Sequence, residues 1–268
     1  MGSNLSVLVG AAVLLALGGA RAEDGSDDLS KKLSNPVASL ISVPFQFNWD
    51  GKIGPRDQGS RGTLNVQPVI PFSLNSEWNV ISRTILPVIA QQGIFPGAGS
   101  QAGTGDIVQS LFFAPAKPGS SGLIWGAGPV FLLPTGSDRL LSASKWGAGP
   151  TAVGLVQRGP WSIGMLGNHI WSFAETRGNA RTVSASLLNP FISYAAAQQW
   201  TFSLGADASY DWVSQNWTIP VTASISKLVT IDKQPISFSV GARYYATSPS
   251  GAPKGWGARA SVVFLFPK

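Results

Sequence analysis

Few side chains in this sequence can do acid–base or electrostatic chemistry, and their spacing limits what they can do. His169 is the only histidine in 268 residues, and there is no cysteine. Thiolate and multi-histidine metal sites are therefore excluded, no cofactor is expected, and a catalytic imidazole has one candidate. Hydrolysis through an activated serine needs serine and imidazole in the same space, which on one strand means an even offset. Ser172 lies three residues from His169 and so faces the other side, while Trp171 holds the even position. His169 shares parity with Trp161, Ile163 and Met165. This favours an interfacial or structural imidazole over a catalytic one, with a serine on another strand left open. No enzyme is expected.

The charged residues are more informative. Asp207, Asp211, Arg243 and Arg259 fall on the polar parity of alternating segments, and Arg83 and Asp106 do so in less regular ones. Against hydrocarbon each would cost roughly 2–4 kcal/mol, so all six are expected to line an interior. Inside, opposed charges either pair and rigidify a filled lumen, which is the simpler reading, or form a constriction with acidic and basic sides. The Gly-x-Gly pairs at 103/105, 126/128 and 147/149 complete no nucleotide fingerprint and open no helix; close backbone approach explains them better.

The elements that position these residues are strands. From Trp200 the even positions read Trp200, Phe202, Leu204, Ala206, Ala208, Tyr210 and Trp212, against Thr201, Ser203, Gly205, Asp207, Ser209 and Asp211. Ile236 to Tyr244 and Trp256 to Phe266 repeat the alternation. Twelve residues from Trp200 to Trp212 span roughly 40 Å at about 3.3 Å each, or roughly 30 Å along a membrane normal at a tilt of about 40°. Trp161 to Trp171 gives roughly 25 Å by the same sum. Trp161, Trp171, Trp200, Trp212, Trp217 and Trp256 are thus expected at the two membrane interfaces.

Alternation and turn residues divide the chain into twelve candidate strands: 37–49, 62–72, 77–89, 104–115, 122–133, 146–157, 161–173, 182–195, 199–212, 217–227, 235–246 and 256–267. Long links such as 50–61, 90–103, 134–145, 174–181 and 247–255 alternate with short ones at 73–76, 158–160 and 196–198; the short link 213–216 departs from this order. Such alternation fits tight turns on one membrane side and open loops on the other. Pro87 and Asn189-Pro190 interrupt the pattern, so a bulge or edge is expected at each. Trp125-Gly-Ala-Gly-Pro129 recurs as Trp146-Gly-Ala-Gly-Pro150, which points to neighbouring strands with similar packing. The expected fold is an all-β, antiparallel transmembrane β-barrel of about twelve strands, closed as an up-and-down meander over 37–268.

Only 12% of residues are charged and 44% are hydrophobic. The longest apolar run, the 13 residues Leu5–Leu17, is too short to cross a membrane as a helix. With Ala20-Arg21-Ala22 it reads as a signal peptide over 1–22, although no basic residue precedes it. Residues 23–36 are polar, with Leu29 and Leu33 four apart after Asp27 and Asp28, consistent with a short helix in the periplasm or the barrel mouth. Removing Arg21 with the signal leaves 18 basic and 13 acidic residues, a dispersed +5 that does not point to nucleic acid. The expected partners are outer-membrane lipid and lipopolysaccharide, the barrel-assembly machinery and a small-molecule solute.

Asn35-Pro-Val-Ala-Ser-Leu-Ile-Ser-Val-Pro44, Asn65-Val-Gln-Pro-Val-Ile-Pro71 and Gly105-Asp-Ile-Val-Gln-Ser110 resemble the outer-membrane barrel family labelled for the meta-pathway of phenol degradation. Trp146-Gly-Ala-Gly-Pro-Thr151, Asn168-His-Ile-Trp-Ser172 and Phe264-Leu-Phe-Pro-Lys268 extend the resemblance over nearly all of 35–268. It implies a porin-like transporter in the outer membrane of a Gram-negative bacterium, passing small compounds with aromatic ones as candidates, and it transfers no catalytic or binding residue. A passive channel is the first expectation, a structural or lipid-interacting barrel with an occluded pore the second, and a barrel-type hydrolase the third. The signal reading has a direct check: amino-terminal sequencing of membrane-fraction protein should begin near Glu23, and recovery of the unprocessed chain in the soluble fraction would contradict it.

Overall fold

A computed structural model describes residues 29–267 except 177 and 179, so the expected signal peptide lies outside the described residues. The strands are β1 (Ile41–Ile53), β2 (Gly59–Val66 continued by Val69–Ser73), β3 (Trp78–Gln92), β4 (Ser100–Thr104 continued by Ile107–Pro115), β5 (Leu123–Leu133) and β6 (Lys145–Arg158). They continue with β7 (Trp161–Glu175), β8 (Ser184–Ala195), β9 (Trp200–Ala206 continued by Ala208–Asp211), β10 (Asn216–Ile231), β11 (Gln234–Thr247) and β12 (Gly255–Phe266). Each pairs antiparallel with its sequence neighbours. β12 returns to β1 from Ile41↔Phe266 to Trp49↔Ala258, closing a twelve-stranded up-and-down barrel.

Closure follows from the alternation. With one face apolar and the other polar, an open sheet would expose unpaired edges, and a barrel leaves none. The outer face carries Phe45, Phe47, Ile163, Met165, Phe202, Leu204, Phe238 and Val240, all exposed. Tryptophans bracket this band. Trp49, Trp146, Trp171, Trp212, Trp217 and Trp256 stand at the end with the longer loops, and Trp78, Trp125, Trp161 and Trp200 at the end with the shorter turns. Lys227 stretches over the Trp200 ring, 4.7 Å from its centre, toward the Gln198 carbonyl. That is the posture of a cation whose stem lies in hydrocarbon and whose head reaches water.

The breaks inside strands have local causes. Pro68 has no N–H, so β2 is interrupted there although its register against β3 runs on unchanged from Val66↔Leu86 to Val69↔Arg83. Opposite Pro87 the register does shift by one residue, between Val88↔Thr104 and Ile85↔Val108, which is the bulge expected at that proline. At Asn189-Pro190 the expectation of a bulge or edge fails. β8 keeps one register with β7 and with both parts of β9. The missing Pro190 donor is replaced by a side chain: Asn189 Nδ2 donates to the Ala206 carbonyl at 2.9 Å. The repeated Trp-Gly-Ala-Gly-Pro segments lie on paired strands, with Pro129 directly opposite Pro150. A Cβ on Gly128 or Gly149 would stand 2.0 Å from the Leu111 carbonyl oxygen or 1.7 Å from that of His169, so close approach requires glycine at both.

Other boundaries differ from the sequence reading, among them the ends of β3 at Gln92, β4 at Ser100 and β10 at Ile231. The first hairpin runs farther than expected, and 50–53 and 59–61 belong to β1 and β2. Residues 37–40 precede β1 and turn into the lumen. There Val37 joins Ile81, Phe112, Val153, Leu155 and Leu166. The expected short helix forms at 29–33, and its Leu29 and Leu33 pack with Ala38, Leu40, Leu228, Val263 and Leu265. Gln157 Nε2 donates to the Lys31 carbonyl at 2.9 Å, and the Ser193 and Ser34 hydroxyls meet at 3.0 Å. Residues 29–40 thus plug the short-turn end of the barrel.

The facing assignment is testable on β9, where Leu204 is half exposed on the outside and Ser203 lines an interior cavity. Leu204→Arg should abolish or strongly reduce the heat-modifiable folded band on electrophoresis, at a cost of about 2–4 kcal/mol, whereas Ser203→Arg should assemble. Equal damage from both would refute the assignment.

Candidate functional site in the barrel lumen

The interior charge forms one chain of electrostatic contacts. Arg259 on β12 donates to Asp207 Oδ2 on β9 at 2.6 Å and, through Nε, to Asn48 Oδ1 on β1 at 2.7 Å. Arg243 on β11 reaches the same Asp207 oxygen at 3.8 Å and Asp50 Oδ1 at 3.8 Å. Arg61 on β2 stands directly opposite Asp50 in the strand register, and Arg83 on β3 lies in the field of Asp207, neither within ion-pair distance. β3 and β9 are six strands apart in a barrel of twelve, so Arg83 and Asp207 stand on opposite walls of the lumen.

Strand tilt is what brings these residues together. Arg259 lies in the hydrogen-bonding row of Asn48 and Gly241, and along that row the residue on β9 is Ser203, not Asp207. Because tilted strands climb relative to their rows, three strands displace residues of equal height by about 13 Å along the chain. Asp207 therefore meets Arg259 from four residues farther along its strand.

Asp207 is held in place by Asn189, the residue beside Pro190. The same Asn189 amide that replaces the Pro190 donor also donates to Asp207 Oδ1, at 2.8 Å. At the upper end, Tyr245 packs against Arg243, with 5.3 Å from the guanidinium carbon to the ring centre. Arg243 Nε and Asp50 Oδ1 face one another without a hydrogen bond. Two of the arginines are held by neutral partners: Arg61 Nε donates to Gln91 Oε1 at 2.8 Å, and Arg83 to Gln67 Oε1 at 3.0 Å. The six groups in the chain are four guanidinium cations and two carboxylates.

Of the six lumen candidates, Asp207, Arg243, Arg259 and Arg83 come together. The other two lie elsewhere. Asp211 stands at the long-loop rim, where its carboxylate accepts from Val213 N at 2.9 Å and Ser214 N at 3.1 Å and pairs with Arg181 at 2.6 Å. It caps the turn to β10 because strand pairing ends at that residue. Asp106 accepts from Gly136 N, Ser142 Oγ and Ala143 N at 3.0, 2.6 and 2.7 Å. It pins the 134–144 connection, which folds inward: Leu141 is buried, and its carbonyl lies over Gly105 beside Pro87. Asp50, Arg61, Gln67, Gln91 and Tyr245 complete the interior network and were not singled out in the sequence. Parity offered a signal for Asp50, since Phe45, Phe47 and Trp49 face outward.

Two cavities in the lumen border the plug. One cavity of about 310 Å³ is lined by serines of β8 to β12, among them Ser193, Ser203, Ser226, Ser239 and Ser261. A second, of about 210 Å³, lies between the plug and Arg83.

His169 lies on the outer face, as its parity required. Its Nδ1 is 2.7 Å from the hydroxyl of Ser186, its direct cross-strand neighbour, and Trp212 Nε1 donates to that hydroxyl at 2.9 Å. The imidazole lies against Trp171, tilted by 46° with 4.0 Å between ring centres. Ser172 instead pairs with the Val183 backbone. The cross-strand serine is present, but His169 Nε2 has no hydrogen-bond partner, so nothing orients the ring as the acid of a triad does. The geometry fits an aromatic anchor at the interface, and no group of three metal-ligating side chains occurs among the described residues.

The chain is similar in structure to an outer membrane channel from Pseudomonas putida F1, with a TM-score of 0.67 and 12% identity over 85% of this chain and 96% of that one. The KdgM porin in complex with disordered oligogalacturonate gives 0.44 and 13% over 85% and 100%. The Salmonella typhi outer membrane phospholipase dimer with bound calcium gives 0.48 and 12% over 92% and 99%. No protein-family model and no curated protein matches the chain. At these identities the likeness is one of fold.

The network predicts unequal costs for its two aspartates. Asp207→Asn removes the charge that two arginines share and should lower unfolding stability by about 1–3 kcal/mol, read as a lower urea midpoint of the refolded barrel. Asp211→Asn, at the wet rim, should change it by less than about 1 kcal/mol.

Proposed function

We propose that this protein is an outer-membrane channel of a Gram-negative bacterium, passive and non-enzymatic, for small compounds that include aromatic ones. The observation that carries the reading is the contrast between a lipid-matched exterior and a charged, cavity-bearing lumen. A purely structural barrel gains nothing from six charged groups inside, since apolar packing of the same volume is as stable. The motif likeness to the phenol-degradation family supports aromatic solutes, and the fold likeness to a channel is consistent with transport. In this orientation the short turns and residues 29–40 face the periplasm, and the longer loops face outward.

The plug specifically favours a second reading, an occluded barrel. Both readings agree that residues 29–40 block the periplasmic mouth as the structure stands. They differ in whether the plug yields. Its helix is anchored by Leu29 and Leu33, both only partly buried, while Val37, Ala38 and Leu40 fix the segment that leads into β1. Each helix leucine contributes less than the about 1.5–3 kcal/mol of complete burial, little enough for local opening of the helix while the barrel stays intact.

Liposome swelling tests this. Wild-type protein should admit arabinose slowly, and the double variant Leu29→Asn, Leu33→Asn should admit it several-fold faster while keeping its boiling-dependent mobility shift. Absence of entry with both proteins, each folded, would sink the channel reading and leave the occluded barrel.

A further inference from the structure

We infer that the cavity between the plug and β3 is a binding site for a small carboxylate with an apolar body, of the size of benzoate. The inference rests on the channel reading and names the solute class of that lumen. Three observations converge on it.

The first is charge. The lumen chain holds four guanidinium groups against Asp50 and Asp207, and the imbalance falls at its two ends. Among the described residues no carboxylate lies within salt-bridge distance of Arg61 or Arg83. Their hydrogen-bond partners are the Gln91 and Gln67 amide oxygens, which fix a guanidinium in place without neutralising it. A guanidinium carries five N–H donors, and the Arg83 to Gln67 contact occupies one of its NH2 groups. The remaining donor edge suits the two oxygens of a carboxylate.

The second is shape. Arg83 and Gln67 line the cavity of about 210 Å³, with Lys32 and Asn35 of the plug contributing further polar groups. Its remaining wall is largely apolar, with Leu33, Leu166 and Val263 among the lining residues. A few polar groups converging in an otherwise apolar hollow are what orient a small amphipathic ligand. The volume accommodates one six-membered ring with its carboxylate and excludes an oligosaccharide.

The third is position. Arg61 lies toward the outer end of the charge chain and Arg83 at its plug end, so an anion entering from outside passes one cation before reaching the other. Successive weak sites of one sign allow entry without trapping. The apolar wall includes Leu33 of the plug, so a ring bound there touches the element that closes the periplasmic mouth.

Isothermal titration of the detergent-solubilised full chain with benzoate, acetate, benzyl alcohol and benzylamine tests the site without requiring conduction. Benzoate should bind at least tenfold more tightly than acetate, which lacks the ring, and than benzyl alcohol, which lacks the charge; benzylamine should not bind. Arg83→Gln should weaken benzoate binding at least tenfold, while Arg83→Lys should retain part of it. Equal binding of benzyl alcohol and benzoate, or no benzoate binding by wild-type protein, overturns the inference. If Arg83→Gln does not assemble, the wild-type ligand series still decides. Arabinose entry into liposomes without benzoate binding would remove this site and leave the channel; benzoate binding without entry would do the reverse.

Discussion

The constraint on which everything else depends is that no water inside a bilayer can satisfy a backbone N–H or C=O. The chain meets it by pairing every strand with two neighbours and closing β12 onto β1. A proline within a strand leaves a gap in the ladder, and two such gaps are met locally. Across from Pro87 the β4 strand bulges. At Pro190 the strand keeps its register, and Asn189 turns its amide to the orphaned carbonyl of Ala206. Since that amide also holds Asp207, a backbone requirement at the wall positions the carboxylate that two arginines share.

Inside, the same low polarity raises the cost of any uncompensated charge and strengthens any contact that compensates it. Asp207 is shared by Arg259 and Arg243, and Asp50 faces Arg243. Arg61 and Arg83 are steadied by glutamine oxygens instead of carboxylates. The resulting interior is ordered but not neutral, which is the condition for interaction with a charged solute. Space is limited from both ends by the chain itself, through the 29–40 segment below and the inward-folded 134–144 connection above, the latter tied down by Asp106.

Outside, hydrocarbon and interface impose a different order. Tryptophans gather at two levels because their rings tolerate apolar surroundings while the indole N–H seeks a polar partner. Trp212 finds one in Ser186, which in turn meets His169. The contact places a serine hydroxyl beside an imidazole, yet its setting is an aromatic belt and its Nε2 is unpartnered. The pair packs among Trp171 and Trp212 on the outer face.

Alternation, aromatic spacing and the rhythm of long and short links are local properties, and they were enough to read twelve strands, a closed meander and the outward position of His169. Period-two parity also placed Asp207, Arg243, Arg259 and Arg83 on the interior face. It could not separate them from Asp211 and Asp106, because parity says which side a residue faces and not how high it stands or whether a turn or loop claims its carboxylate. The Asp50–Arg61 stretch was read as loop for a related reason: its glycines and charges suit a turn equally well, and only pairing with neighbouring strands extends the hairpin. Heights and partners depend on tilt and register, which are set by the whole closed sheet. The tertiary structure alone therefore decided that Asp207 meets Arg259 across three strands, that Arg61 and Arg83 are left without carboxylates, and that residues 29–40 enter the barrel instead of lying beneath it.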